Sequence, residues 1–443
     1  MTPPYLARAW AKRGADLRAG AWAIQEGLHY PFLRIGPIPF VPNLAIYFMV
    51  AGNREAGNGV GMFKWSIGIG MQQSTSKTVV CMAEDRENFD TGIQLSILSL
   101  AKHSPKLPIY LFYPQARNNL VTWLQKHPQV TYCPQPLPDA YGWNVKPQAL
   151  LYLLDLGYDE VVWIDTDIIV TRDISSFFNE LDDSTLVITE ESVWGLNYDR
   201  ENPAWELHRD PGVMRAALWQ FEPGRRVRLS LNACIIRITA RHRALLMRWY
   251  ELLQLANYKH VQQLGWQSRP LHMLSDQDVL TALLASRTFS DIPLKVLRRG
   301  NEILQFMGLS GFTVRERARS LLHGLPAFIH SQAGKPWIVF HRNFRTSGFG
   351  AYARALYIDM SPYTLVARRY RNELEGDTNW MAPHFLGTRV FRAMGFYYAP
   401  LIGLPIAIVA DIARMAWRLS QFFRRLTNSF QHTAPSKAGG TSV

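Results

Sequence analysis

From Thr78 onward, short apolar runs alternate with longer stretches whose apolar residues recur at helical spacing. Thr78-Val-Val-Cys-Met-Ala-Glu-Asp85 reads as a first strand, followed by a helix over about 90–104 and a strand at Leu107-Pro-Ile-Tyr-Leu-Phe-Tyr113. A helix near 117–127 and a short strand at Val130–Cys133 come next. Asn144-Val-Lys146-Pro147 opens a helix through Leu156, with Pro147 in the tolerated first turn, and Gly157-Tyr-Asp159 ends it and feeds a strand at Glu160–Ile164. Beyond lie a strand at Leu186–Thr189, a strand or strand pair over 227–238, a helix over about 240–256, and a helix through Leu284 capped by Ser275 or Asp276. This alternation predicts the α/β class: a mostly parallel sheet flanked by helices, with an extension at each end.

The flanks do not share the pattern. Residues 1–77 are rich in Gly and Pro, which predicts an N-terminal extension before a main domain over 78–345. A basic, aromatic C-terminal helical segment is expected over 346–430 and a disordered tail over 431–443. No cleavable signal peptide is visible. Ile35–Gly52 is broken by Pro37, Pro39 and Pro42, and Tyr397–Ala410 by Pro400 and Pro405, so neither offers the clean apolar run a membrane span needs.

Composition narrows the classes. Of 443 residues 48% are hydrophobic and 19% charged, which excludes general disorder and leaves ample material for a core. Three widely spaced cysteines, Cys81, Cys133 and Cys234, form neither a zinc spacing nor a disulfide framework and favour a reducing compartment. The net charge of +13 suits nucleic acid, anionic lipid or a phosphate-rich substrate. Its placement discriminates: Arg8, Lys12, Arg13 and Arg18 lie near one end, and Arg389, Arg392, Arg414, Arg418, Arg424 and Arg425 lie around the apolar, aromatic stretch Phe396–Trp417. Such a mixture suits peripheral contact with a membrane, at the cytoplasmic face, better than a nucleic-acid groove. No nucleic-acid-binding motif accompanies it.

The densest chemistry follows the strand at 160–164. Asp165-Thr-Asp167 sets two carboxylates two residues apart; on a continuing strand both would point to one side and repel each other unless a cation lay between them. Ligands of open α/β sheets bind beyond the carboxyl ends of the strands, so the pair is a candidate for a divalent metal holding nucleotide phosphates, or else a solvated strand end capping a turn. Further on come Asn232-Ala233-Cys234, Asp276-Gln277-Asp278 and His330-Ser-Gln-Ala-Gly334-Lys335-Pro336-Trp337.

In this order the elements resemble the metal-dependent nucleotide-sugar glycosyltransferases of the GT-A fold, most closely the retaining family of bacterial lipopolysaccharide glycosyltransferases and glycogenin, over about residues 78–342. The resemblance implies Mn²⁺ or Mg²⁺ on Asp165, Asp167 and His330, with Asp165 also touching the donor. It implies Lys335 on the diphosphate and Gly334 letting the backbone approach it. Lys146, on the helix before the metal strand, would reach the donor, and Asn232 would lie near its sugar hydroxyls. Asp276 would accept from the donor sugar, and Gln277 would lie near the anomeric carbon. The His-to-Lys spacing is one residue shorter than the family's His-x-x-Gly-x-x-Lys-Pro-Trp, which keeps His341 as a competing ligand, and Cys234 replaces a glycine.

The implied reaction moves a hexosyl unit from a nucleotide diphosphate sugar, a UDP-sugar by resemblance, to the hydroxyl of a glycan or glycolipid acceptor such as a lipopolysaccharide precursor. Retention would proceed by front-face attack. Glu190 and Glu191 follow a strand and either approach the site or remain solvated, and Trp194, Trp205 and Trp219 either line an acceptor groove or pack in the core. Two other classes compete: a sugar nucleotidyltransferase, whose basic, glycine-rich loop Ala83-Glu84-Asp85 does not provide, and a non-catalytic membrane-associated binding protein on the same scaffold.

Overall fold

The computed structural model describes residues 78–138, 141–191, 210–305, 312–332, 335–339 and most of 355–420. The chain divides into two compact units, Met1–Gly70 and Met71–Val443, and the first lies outside the described residues.

Ten strands can be followed: β1 Thr78–Ala83, β2 Ile109–Phe112, β3 Val130–Cys133, β4 Glu160–Ile164, β5 Ile168–Val170, β6 Leu186–Glu190, β7 Leu231–Thr239, β8 Leu294–Leu297, β9 Ile303–Gln305 and β10 Phe328–His330. Seven form the main sheet in the order β3-β2-β1-β4-β7-β6-β8. It is mixed and mostly parallel: β1 pairs in parallel with β2 and β4, β2 with β3 and β6 with β8, while β7 alone runs against both neighbours. The central strands are mostly apolar because both faces are covered. Along β1, Val79 and Cys81 face one core and Val80 and Met82 the other; in β4 the same split separates Val161 and Trp163 from Val162 and Ile164.

Helices α1 Asp90–His103, α2 Asn118–Leu124 and α3 Lys146–Asp155 alternate with the first strands. Along the later half run α4 Ser175–Asn179, α5 Pro211–Leu218, α6 Arg243–Gln254, α7 Ala256–Gln262, α8 Asp276–Ala285 and α9 Val314–His323. Leu150 and Leu153 of α3, Trp249 of α6 and Leu283 of α8 share the core on one face of the sheet; Ile93, Ile97 and Leu100 of α1 occupy the other. Where a strand pair is conceivable over 227–238, the structure has one long strand, β7, and β8 is an addition that periodicity does not announce.

The feature that positions the site is a second sheet, three short strands in the order β5-β10-β9. The chain leaves the main sheet at Ile164 and enters this one at Ile168, with the turn between closed by Ile168 N donating to Asp165 O at 3.1 Å. β10 runs antiparallel to β5, with His330 opposite Ile168, and parallel to β9. The free edge of β5 meets a helix, and helix hydroxyls serve its backbone: Ser96 Oγ donates to Ile168 O at 2.5 Å and Val170 N donates to Ser99 Oγ at 3.0 Å. Gly92 allows this close approach, since a Cβ there would stand 2.9 Å from Thr166 O and from the Trp337 ring.

Candidate active site

Asp165 and Asp167 lie on the turn that crosses between sheets, so the expectation that they share one side of a continuing strand is corrected. They are brought together by the turn and by pairing across the small sheet. The Asp165 backbone N donates to Cys234 O of β7 at 2.9 Å, and its Oδ1 accepts from Trp163 Nε1 at 2.7 Å. Asp167 O accepts from Ser331 N at 3.0 Å, continuing the ladder beyond His330. His330 Nε2 then stands 3.3 Å from Asp167 Oδ1. Thr166, between the two acids, donates its hydroxyl to Glu84 at the end of β1 (2.7 Å), and Glu84 also takes Arg86 as an ion pair. The turn is thereby anchored to three elements of the main domain.

The donor set suits a divalent cation. The ligand atoms of Asp165, Asp167 and His330 all lie within 4.8 Å of one another, and His330 Nδ1 is buried with no hydrogen-bond partner. Two carboxylates and an imidazole can together coordinate a divalent cation. Burial works against a charged His330, but the Cys234 sulfur, Asp165 and Glu191 outweigh it and raise its pKa above the ordinary histidine value. A cation entering this cluster competes with that proton.

Two lysines converge on the acids. Lys146 opens α3 and is 5% exposed; its Nζ lies 3.4 Å from both Asp165 Oδ1 and Asp276 Oδ2. Burial opposes its charge, but the two carboxylates prevail and raise its pKa. Lys335 makes an ion pair with Asp167 and donates to Ser331 O at 2.5 Å. Burial and then Arg86 pull its pKa down to about 7, against Asp165 and Glu84.

Asp276 is the first residue of α8, with Ser275 as the cap. Asp278 Oδ2 closes the capping box by accepting from Ser275 N at 3.0 Å and Ser275 Oγ at 2.7 Å, and Asp278 Oδ1 takes Arg215 Nε at 2.9 Å. Asp278 is therefore structural, and Asp276 is released from capping to face Lys146. Burial raises the Asp276 pKa from 3.8 to about 6; Lys146 opposes the rise and Asp165 adds to it.

Asn232 is buried at an irregularity in the β6–β7 ladder, where Ile188 pairs with Ile236 but the next residue, Thr189, pairs with Asn232. Its Oδ1 accepts from Cys234 N at 2.8 Å, and Gln277 Oε1 accepts from Ala233 N at 3.3 Å. The amino groups of both amides donate to Glu191, as does Gln332 Nε2 at 2.9 Å. Glu191 is thus buried within the cluster, while Glu190 turns toward the small sheet, its side chain accepting from Arg299 N at 3.2 Å. Sequence reasoning left the two acids undistinguished and missed Gln332 and Glu84; the only signal was position, just after a strand or just after His330.

Gly334, His341, Trp194 and Trp205 lie outside the described residues. Trp219 stacks on Phe221 with ring centroids 6.0 Å apart and donates Nε1 to His272 O at 3.0 Å, a packing role.

A mixed, mostly parallel sheet with helices on both faces defines the class, an α/β protein, and at the carboxyl edge of the sheet lies an Asp165–Asp167–His330 cluster that could coordinate a divalent cation. No protein-family model matches the chain, and no curated protein matches it in sequence. Among solved structures it is similar to the bifunctional glycosyltransferase WbbM in its apo form, at 15% identity and a TM-score of 0.42 over 59% of this chain and 47% of that one. This chain therefore spans about half the length of WbbM. It is also similar to the galactosyltransferase LgtC in complex with donor and acceptor sugar analogues (15% identity, TM-score 0.38, 68% of this chain and 97% of that one). Mouse xyloside xylosyltransferase 1 in its apo form shares 15% identity with a TM-score of 0.36 over 58% of this chain and 97% of that one.

Proposed function

We propose that the protein is a metal-dependent glycosyltransferase that moves a hexosyl unit from a UDP-sugar to an acceptor hydroxyl, with retention. The observation that carries this reading is the division of the site into two chemically different halves. One half, Asp165, Asp167, His330 and Lys335, assembles a candidate cation site next to a buried ammonium, which suits a diphosphate. The other half presents buried acceptors: Gln332 Oε1, which has no protein donor, and Asp276 Oδ2, which faces the Lys146 ammonium at 3.4 Å. Buried oxygens with unused lone pairs call for a ligand that brings hydroxyls, and a sugar does. A phosphate linked to a sugar satisfies both halves at once.

Mn²⁺ or Mg²⁺, when bound, would neutralise the diphosphate and stabilise it as a leaving group. Asp165, Asp167 and His330 would hold it. Lys335 would add positive charge where negative charge develops. Lys146 would hold Asp276 ionised and turned inward to accept from a sugar hydroxyl, while Asn232 and Gln277 would line the sugar side. Front-face attack, with the departing phosphate drawing the acceptor proton, needs no carboxylate nucleophile. Gly334 is assigned to the phosphate loop on the sequence likeness alone. The acidic character of the segment after β1, where Glu84 is buried and paired with Arg86, disfavours the nucleotidyltransferase reading.

We assign the catalytic domain to 78–345 and membrane contact to 346–430. No helix among the described residues is long and apolar enough to cross a membrane. The helical residues between 404 and 420 leave Ile408, Val409, Ile412, Met415 and Leu419 exposed, close to one helical face, while Ala407 is buried. An outward apolar face among basic residues supports peripheral attachment and hence a glycolipid or lipopolysaccharide-precursor acceptor at the inner face of the cell membrane. Calorimetry with UDP, first with Mn²⁺ and then with EDTA, tests the core of the proposal. Tight binding that EDTA abolishes is expected; an intact protein indifferent to every nucleotide diphosphate would overturn it and favour the non-catalytic reading.

A further inference from the structure

We infer that Glu191 is a positioning residue that clamps three amides of the site and so couples the strand carrying His330 to the helix carrying Asp276. Its own backbone is fixed by Glu191 N donating to Ser230 O at 2.8 Å, and its side chain is buried. Around it converge Asn232 of β7, Gln277 of α8 and Gln332, two residues beyond His330, each donating an N–H to the carboxylate. An amide whose NH₂ is committed to a carboxylate has its carbonyl oxygen aimed the other way. For Asn232 that oxygen meets Cys234 N, and for Gln277 it meets Ala233 N. Gln332 Oε1 is buried with no partner.

The clamp therefore has two consequences. It ties down the irregular stretch of β7 at Ala233 and Cys234, whose neighbour contact, Cys234 O to Asp165 N at 2.9 Å, supports the metal turn. It also holds one acceptor, Gln332 Oε1, toward whatever ligand enters. No other side-chain type would do this in place of a carboxylate: it accepts on both oxygens and donates on neither. A glutamine there would confront three amino groups with one of its own and force at least one of the amides to turn over.

This inference rests on the transferase reading only for its effect on turnover, so two measurements are made on full-length Glu191→Gln. Hydrogen exchange of the 231–239 segment reads the clamp itself. We expect Ala233 and Cys234 amides to exchange about tenfold faster or more, because the amide oxygens that cap them are no longer held. Turnover of UDP-glucose and UDP-galactose, by transfer or slow hydrolysis, reads the consequence: kcat falls about 10- to 100-fold while affinity for UDP with Mn²⁺ changes by less than about threefold. Glu191→Gln combined with Gln277→Glu returns a carboxylate and an amide to the same pair and recovers part of both losses. Gln332→Ala, which leaves the other two arms in place, lowers turnover without changing exchange at Ala233 and Cys234. Wild-type exchange in Glu191→Gln overturns the clamp, whatever the turnover. Faster exchange in a protein whose wild type binds no UDP upholds the clamp and overturns the transferase reading instead.

Discussion

Replacing Lys146 by methionine removes the ammonium placed between Asp165 and Asp276 and leaves a side chain of similar length. The ammonium is 3.4 Å from a carboxylate oxygen on each side, and its side chain is 6% exposed against 3% for Asp276. Breaking a buried pair by deleting one partner costs about 3–5 kcal/mol, because the other charge stays buried without compensation. Here the cost depends on pH, because Asp276 can escape it by taking a proton. Its folded-state pKa is raised from 3.8 to about 6, so the folded protein binds this proton more tightly than the unfolded chain. Stability from this group is therefore full below 3.8 and is lost as pH rises to about 6, an amount of roughly 3 kcal/mol at about 1.36 kcal/mol per pKa unit. Without Lys146 the folded pKa climbs further and the loss continues to higher pH. Denaturant unfolding in EDTA should show Lys146→Met less stable by about 3–5 kcal/mol near pH 8, and by less than half of that near pH 5. An equal loss at both pH values would refute the argument, since the penalty would then come from packing and not from an uncompensated carboxylate.

Asp167→Asn should weaken Mn²⁺ binding about 100-fold or more in electron paramagnetic resonance titrations, because one ligand loses its charge, while leaving the unfolding temperature within a few degrees, because Lys335, its pKa about 7, can shed its proton when its partner is neutral. Gly92→Ala drives a Cβ to 2.9 Å from Thr166 O, a backbone atom on the metal turn, and should cost about 1–3 kcal/mol by thermal unfolding together with a measurable drop in Mn²⁺ affinity. Val409→Glu and Ile412→Glu place charges on exposed positions and should leave unfolding unchanged, but should lower cosedimentation with vesicles of mixed neutral and anionic lipid about tenfold. Unchanged cosedimentation would remove the C-terminal face from the proposed acceptor geometry.

The main sheet was legible in the sequence because its central strands are long enough, and buried enough, to read as uninterrupted apolar runs between helices of clear period. Lys146 and Asp276 became candidates through the resemblance, which places a basic residue on the helix before the Asp165–Asp167 strand and an Asp-Gln-Asp run where residues 276–278 fall. What could not be read was the small sheet. Its strands are three residues each, too short for any period to emerge, and they join positions 168–170, 303–305 and 328–330. His330 reaches Asp167 only through that sheet, so a ligand separated from its partner by 163 residues is unpredictable from local pattern and evident once β10 is laid against β5. Glu191 illustrates the same limit in a harsher form. A pair of acids after a strand has no spacing that distinguishes the buried one from its neighbour; the distinction is made by Asn232, Gln277 and Gln332, which arrive from three other segments.

The same long-range pairing also bears on why the two halves of the site behave as one. The metal turn hangs from β4 on one side and starts β5 on the other, and each anchor is shared: Cys234 of the main sheet holds Asp165, and Ser331 of the small sheet holds Asp167. A displacement of either sheet must therefore alter the separation of the two carboxylates, while Thr166, bonded to Glu84, resists it from between. Packing of α1 through Gly92, Ser96 and Ser99 closes the remaining direction. A turn so restrained presents its carboxylates in a geometry set before any cation arrives. The cost of bringing two like charges together, eased by Lys146 on Asp165 and Lys335 on Asp167, is then met by folding, which is what the proposed cation site would need in order to be preorganised.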